Sequence, residues 1–191
     1  QPPRPEKAAL LVVDMQGFFL DPASPAYLPP ARAILGNVMK LVDAFRRAGR
    51  PVLFATYETP VEGDGLMREW WSKECPSDSA WAEVWKGFGP EPGETRLRKT
   101  RYSAFSNPEL TEALRRGGVE DLVVAGVQTG LCVESTARAA FDLGLRPTVV
   151  LDATAAASEE RHLASLTILA EGFAAVLPTQ QLQEIFDCSR C

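Results

Sequence analysis

The chain alternates short, almost continuously apolar runs with segments in which apolar residues recur at helical spacing. The apolar runs predict buried strands at residues 7–15, 50–57, 121–127, 146–153 and 173–178. Helical spacing predicts helices at residues 31–49, 107–118, 131–144, 158–172 and 179–187. Strands that are apolar on both faces and alternate with helices predict an α/β fold, a three-layer α/β/α sandwich around a central, mainly parallel sheet.

One long segment interrupts this alternation. Residues 58–98 are rich in Gly and Pro and contain the tryptophans of the chain, Trp70, Trp71, Trp81 and Trp85. A loop of this length inside a compact domain is usually a binding loop or a lid. We therefore predict that the segment borders a ligand site, although the helical spacing of Trp81 and Trp85 would equally suit packing against the sheet.

Length, charge and cysteine content limit the possible classes of function. The 191 residues predict a single domain, residues 1–191. A net charge of −5 offers no basic surface, so we expect no nucleic-acid partner, and no apolar run is long enough to predict a membrane span. We see neither a signal peptide nor a disulfide framework, and so we expect reduced cysteines and a cytoplasmic protein.

Few residues in the chain are suited to holding a metal or a cofactor. His162 is the only histidine, and neither the phosphate-loop nor the dinucleotide-binding glycine pattern occurs. We therefore expect no metal and no cofactor. The polar first turn of a helix surrounds His162, which favours a helix-surface or capping role. The C-x-x-C formed by Cys188 and Cys191 is predicted to be a frayed tail.

Three reactive side chains lie where strands of the predicted sheet end. Asp14 ends the first strand, Cys132 follows the strand at 121–127, and Lys99 closes the tryptophan-bearing segment. The carboxyl ends of parallel strands share one edge, where ligands bind. There Lys99 and a helix N-terminus would lower the pKa of the Cys132 thiol, and Asp14 would take its proton. Taken singly, each residue also suits an ordinary role: a core cysteine, a strand-end cap or a surface lysine.

Four motifs follow one another along the chain: LLVVDMQGFF (10–19), RKTRYSAF (98–105), AGVQTGLCVESTARAAFDLG (125–144) and VVLDATAA (149–156). In these motifs and in their order the chain resembles the isochorismatase-like cysteine hydrolases, which include nicotinamidases, N-carbamoylsarcosine amidases and ureidoacrylate or biuret hydrolases. The resemblance covers nearly the whole sequence. It implies the Rossmann-like fold of isochorismatase-like hydrolases.

The resemblance also implies roles for particular residues. It implies that Asp14, Lys99 and Cys132 form a catalytic triad. A cis peptide bond between Val127 and Gln128 is implied as well, with the backbone N–H groups of Gln128 and Cys132 forming an oxyanion hole.

The same resemblance implies a substrate pocket formed by Gln16, Phe19, Tyr102 and Phe105, in which Gln16 also supports the surroundings of the triad. It implies a homo-oligomer, which the sequence itself neither supports nor excludes. Metal-binding nicotinamidases carry an Asp-x-His near the end of the second strand. This chain reads ATYETPVEGDG (55–65) at that point, which argues against a bound metal.

Together these observations predict a cysteine hydrolase that cleaves a C–N bond of a small amide or carbamoyl compound through a thioester at Cys132, without a cofactor. One alternative is an isochorismate-type vinyl-ether hydrolase on the same scaffold. Hydrolases of that type lack the cysteine, so Cys132 favours C–N cleavage. Another alternative is a non-catalytic scaffold or binding protein of this fold.

Overall fold

The structure is a computed structural model that describes residues 1–60 and 65–188 of the chain. Its strands are β1 (Ala8–Val13), β2 (Val52–Tyr57), β3 (Thr95–Lys99), β4 (Asp121–Val127), β5 (Arg146–Ala155) and β6 (Ala175–Leu177). Its α-helices are α1 (Gly17–Leu20), α2 (Pro29–Ala33), α3 (Leu35–Arg47), α4 (Gly65–Trp71), α5 (Pro108–Arg116), α6 (Glu134–Asp142), α7 (Glu159–Gly172) and α8 (Thr179–Cys188).

The strands form one sheet in the order β3-β2-β1-β4-β5-β6, and every neighbouring pair is parallel. The predicted parallel sheet is therefore confirmed. From β1 the chain first builds the sheet outward through β2 and β3, and then returns to add β4 on the other side. Open α/β sheets bind ligands beyond the carboxyl ends of the strands at such a reversal.

Helices cover the sheet on both faces, which makes three layers. Successive side chains of β1 point to opposite faces, so that Leu10 and Val12 join one buried apolar cluster while Leu11 and Val13 join the other. The first cluster also contains buried residues of α3 and α8, and the second contains those of α5, α6 and α7. This explains why β1 is apolar at every position, since both of its faces are buried.

The edge strand β3 is the main difference from the predicted elements. Its sequence is TRLRK, and all but Lys99 falls in the segment 58–98 that was predicted to be a loop. In the structure Leu97 and Lys99 are buried and Arg98 is exposed, the alternation expected of a strand with one covered face. The predicted helix at 31–49 is also divided at Ile34 into α2 and α3.

The sequence also led to expectations about membrane spans, the number of domains, cellular location and oligomeric state. Among the helices of the described residues, none is both long enough and apolar enough to cross a bilayer. The assignment of residues 1–191 to a single domain stays a prediction, as do the cytoplasmic location and the homo-oligomer.

Strand β4 passes very close to the backbone at the end of β1. Gly126 lies opposite Val13 in the parallel register and has a φ of +116°, in the region that favours glycine. A Cβ atom at Gly126 would lie 2.0 Å from the carbonyl oxygen of Val13, far inside contact distance. Position 126 therefore requires glycine. Its partner on β1, Val13, directly precedes Asp14.

We expect Gly126→Ala to lower the free energy of unfolding by at least about 3 kcal/mol, because the added methyl group forces β4 away from β1. The matched control is Gly144→Ala, which has a φ of +81° but no atom within 4 Å of the added Cβ. The control should lose only about 1 kcal/mol of backbone strain. Urea unfolding of both variants measures the difference, and equal losses would contradict the close approach.

Candidate active site

The structure brings Asp14, Lys99 and Cys132 together at the carboxyl edge of the sheet. Asp14 directly follows β1, Lys99 is the last residue of β3, and Cys132 lies in the turn between β4 and α6. All three are buried: Asp14 is 0%, Lys99 1% and Cys132 7% exposed. The site therefore depends on three separate strand ends, which only the assembled sheet brings into contact.

The ammonium group of Lys99 lies between the other two side chains. Its Nζ is 2.8 Å from Oδ2 of Asp14 and donates a hydrogen bond to Sγ of Cys132 at 3.3 Å. It donates another to the backbone carbonyl of Arg101 at 3.1 Å. The ring of Tyr57 lies below it, with its centroid 5.5 Å from Nζ. A buried ammonium requires such partners because water cannot solvate it.

Burial and charge together determine which groups carry protons. Burial, with the charge of Asp14, raises the pKa of the Cys132 thiol to about 12, and Lys99 offsets only part of this rise. The expectation that the thiol pKa is lowered is therefore wrong for the free protein. It overlooked the desolvation of the thiolate, which outweighs the nearby cation.

The other two groups have raised pKa values for different reasons. Burial raises the pKa of Asp14 above its usual range, although the charge of Lys99 opposes this. Burial disfavours the ammonium form of Lys99, but its interactions with Asp14 and Cys132 outweigh that effect and raise its pKa. A protonated lysine beside an unusually basic carboxylate suits Asp14 to accept a proton from the thiol.

The side chain of Gln16 ties β1 to the segments that surround the site. Its Oε1 accepts a hydrogen bond from the backbone N–H of Tyr57 at 2.7 Å, and its Nε2 donates to the Tyr57 carbonyl at 3.0 Å. Nε2 also donates to the carbonyl of Trp81 at 3.2 Å. Gln16 is 0% exposed, so these bonds hold the end of β2 and the tryptophan-bearing segment against the residues that follow Asp14.

Cys132 lies in a single π-helical turn, Thr129–Val133, that leads directly into α6. The peptide bond between Val127 and Gln128 is cis. The carbonyl of Gln128 accepts hydrogen bonds from the N–H groups of Leu131 and Val133. Behind the cysteine, the hydroxyl of Thr136 donates to the Cys132 carbonyl at 2.6 Å. These bonds fix the direction of the turn. The predicted oxyanion donors are the backbone N–H groups of Gln128, directly before the turn, and of Cys132, within it.

A small cavity of about 10 Å³ opens onto Cys132. Its walls are largely aromatic and apolar, and none of the side chains that line it is charged. They are Phe19, Tyr57, Met67, Trp71, Tyr102, Gln128, Leu131 and Cys132. This volume is close to the smallest that holds one water molecule, about 10–15 Å³, so the space beside the sulfur is nearly closed in the free protein.

The sequence matches the isochorismatase domain over residues 8–181. The chain belongs to the isochorismatase family. Nicotinamidase 3 from Arabidopsis thaliana is similar to it, with 38% identity over 186 residues that span 95% of this chain and 89% of that relative. The protein is accordingly an isochorismatase-family hydrolase.

Solved structures of the same family have closely similar folds. A cysteine hydrolase from Pseudomonas syringae has a TM-score of 0.94 at 25% identity, covering 99% of this chain and 96% of that one. The N-carbamoylsarcosine amidase from Thermoplasma acidophilum has a TM-score of 0.81 at 29% identity, covering 91% of this chain and 96% of that one. These likenesses confirm the isochorismatase-like fold that the motifs implied.

The predicted pocket residues of this family member do not all lie in the cavity. Phe19 and Tyr102 line it, whereas Gln16 and Phe105 are absent from its lining. Gln16 instead makes the backbone hydrogen bonds described above, and Phe105 packs against the second apolar cluster. Their assignment to a substrate pocket stays a prediction.

Three residues that sequence reasoning had not selected line the cavity: Tyr57, Met67 and Leu131. Trp71 also lines it and lies in the segment predicted to border a ligand site. Tyr57 is the last residue of β2, so the strand-end argument applied to Asp14 could have found it. Met67 and Trp71 lie four residues apart on α4, a spacing that places both on one helix face. That signal was hidden because the whole segment was read as a loop.

The remaining candidate residues lie elsewhere. In the described part of the chain, no group of three or more His, Cys, Asp or Glu side chains is arranged to hold a metal ion. Cys188 is exposed at the end of α8, and Cys191 lies outside the described residues. His162 is half-buried and contacts Thr129, so its surroundings differ from the surface or capping role predicted for it.

The charges around the thiol lead to a test that needs no substrate. We expect Asp14→Asn to lower the pKa of Cys132, because it removes the adjacent negative charge and leaves Lys99 beside the sulfur. Alkylation of Cys132 by iodoacetamide at neutral pH should become at least about tenfold faster, since the rate follows the thiolate fraction. Mass spectrometry of the Cys132 peptide separates it from the other cysteines.

The companion variant for this test is Lys99→Met, which removes the cation at similar length and should slow the same alkylation. Circular dichroism establishes that both variants are folded. A slower reaction in Asp14→Asn, or a faster one in Lys99→Met, would contradict the arrangement of charges described here.

Proposed function

We propose that this isochorismatase-family protein is a cysteine hydrolase that cleaves the C–N bond of a small amide or carbamoyl compound. The observation that carries the proposal is the buried ammonium of Lys99, which contacts both the carboxylate of Asp14 and the thiol of Cys132. A nucleophile, a base and a cation in mutual contact suit covalent catalysis of acyl transfer. In this proposal Cys132 is the nucleophile and Asp14 the base.

The first half of the reaction forms a thioester. As the sulfur of Cys132 attacks the substrate carbonyl carbon, Asp14 takes the thiol proton. The backbone N–H groups of Gln128 and Cys132 stabilise the negative charge that develops on the carbonyl oxygen. The C–N bond then breaks, and the proton held by Asp14 passes to the departing nitrogen, which leaves as ammonia or an amine.

The second half releases the acid. Asp14, ionised again, takes a proton from a water molecule that attacks the thioester carbon. The C–S bond breaks and the proton returns to the sulfur. Lys99 remains charged throughout and stabilises whichever of its two neighbours carries the negative charge. The high pKa of the thiol makes Asp14 essential, because little thiolate exists at neutral pH before the substrate arrives.

The cavity supports a small and uncharged substrate. An ionic group would lose its hydration against the aromatic walls, none of whose side chains carries a compensating charge. The similarity to a nicotinamidase and to an N-carbamoylsarcosine amidase supports an amide-type substrate as well. The proposed reaction needs no cofactor, because all proton transfers pass through Asp14.

The test is ammonia release from a panel of small primary amides, ureides and carbamoyl compounds. We expect at least one of them to be hydrolysed, with the activity of Cys132→Ala lower by about 10⁴-fold or more, since the nucleophile is lost. Mass spectrometry of the quenched reaction should detect the acyl group on Cys132. Cys188→Ala, which removes an exposed thiol, is the matched control and should retain full activity.

The outcomes separate the alternatives. Hydrolysis that survives Cys132→Ala would contradict the thioester and favour the vinyl-ether type of chemistry, which needs no thiol. A folded protein that hydrolyses no member of the panel would contradict the amidase proposal and favour a scaffold or binding role. Loss of activity in Cys188→Ala would point to the C-terminal cysteines.

A further inference from the structure

The turn that carries Cys132 is held from behind by helix α7. The imidazole of His162, in the first turns of α7, lies with its Nδ1 2.8 Å from Oγ1 of Thr129. Thr129 is 0% exposed and directly follows Gln128, the predicted oxyanion donor. The contact therefore joins α7 to the first residue of the turn, three residues before the reactive sulfur.

The surroundings of His162 favour its neutral form. The backbone carbonyl of Leu151 in β5 lies near the ring. A neutral imidazole has one nitrogen that donates and one that accepts, so Nδ1 can share a hydrogen with the Thr129 hydroxyl in either tautomer. Burial lowers the pKa of His162, which favours this neutral form.

A second residue of α7, Ser165, lies against the same turn. The hydroxyl of Ser165 lies 3.2 Å from the carbonyl oxygen of Thr129 and donates to the carboxylate of Glu134 at 2.6 Å. Ser165 lies almost one helical turn beyond His162, so both side chains are on the same face of α7. Helix α7 therefore holds Thr129 through its side chain, and Ser165 links the same helix to Glu134 in α6.

Displacement of this turn would move the reacting groups more than the cavity. Cys132 and the N–H of Gln128 lie within or beside the turn, whereas Phe19, Tyr57 and Trp71 reach the cavity from other elements. A shift of about 1 Å in a reacting group can slow an enzyme about 10²-fold. Substrate binding, which depends largely on the walls, would change much less.

We propose that His162 is a positioning residue, which holds Thr129 by its hydrogen bond and so fixes the turn that carries Cys132 for catalysis. The effect on catalysis rests on the proposed amide hydrolysis. The effect on the turn does not, because the hydrogen bond exists in the free protein. The two can therefore be measured separately.

The decisive experiment is a double-mutant cycle with His162→Ala, Thr129→Val and the double variant. Each single variant should lower kcat at least about tenfold with KM changed by less than about threefold, because the turn is misplaced while the walls remain. The double variant should be no slower than either single variant, because both remove the same bond. Thermal unfolding shows that the proteins remain folded at the assay temperature.

Conservative variants make the test specific. His162→Asn keeps an acceptor near the position of Nδ1, and Thr129→Ser keeps the hydroxyl, so both should recover most of kcat. Leu163→Ala alters the next residue of α7, whose side chain is 52% exposed, and should leave kcat unchanged. A loss of helix stability alone would not produce this pattern of recovery.

A measurement without substrate completes the test. Amide hydrogen exchange of the peptide over residues 128–134 should be faster in His162→Ala and Thr129→Val than in the wild type, and unchanged in Leu163→Ala. Unchanged exchange overturns the proposal, whether or not an amide is hydrolysed. Additive losses in the cycle, or wild-type kcat in His162→Ala, overturn it as well. Faster exchange in a protein that hydrolyses no amide supports the anchor and rejects only the proposed function.

Discussion

The buried contact between Asp14 and Lys99 is the constraint on which the rest of the site depends. Both side chains are removed from water, and their Oδ2 and Nζ atoms are 2.8 Å apart. Neither charge is tolerable there alone, since breaking a buried ion pair typically costs about 3–5 kcal/mol. The pair forms only when β2 holds β1 and β3 on its two sides, and it therefore requires the assembled sheet. Burial mainly raises the pKa of the Cys132 thiol beside the pair, and the charges of Asp14 and Lys99 then shift that pKa in opposite directions.

Much of this arrangement could be predicted from sequence, because its causes are local. β1, β2 and β4 are buried on both faces, so their apolar runs identify them, and the parallel sheet follows. Strand ends then indicate where Asp14 and Cys132 meet. By contrast, β3 lies at the edge and its basic residues conceal it. The direction of the thiol pKa was also beyond the sequence, because it depends on how deeply the assembled fold buries Cys132.

The same dependence on the assembled fold explains why the sequence did not indicate the role proposed for His162. In the sequence it is a lone histidine in a polar helical turn, with no neighbour that suggests a partner. Its contacts, Thr129 and Leu151, come from the turn after β4 and from β5. The β4–β5 register shifts between Val124 and Gly126, and the stretch of β5 opposite this shift includes Leu151. An irregularity of this kind leaves a backbone carbonyl available to a side chain.

The geometry of the sheet also explains why the cation is a lysine with a tyrosine beneath it. β2 lies between β1 and β3, so Asp14 and Lys99 come from strands about 9.5 Å apart. A side chain from β3 must be long to reach the end of β1, and it must pass over the intervening strand. Tyr57 is paired with Lys99 in the register at the end of that strand, and its ring faces the ammonium at 5.5 Å. The flexible four-carbon side chain of lysine spans the distance from β3 across β2 and places a compact charge between the carboxylate and the sulfur. The residue types of the site thus follow from the spacing of the strands that carry them.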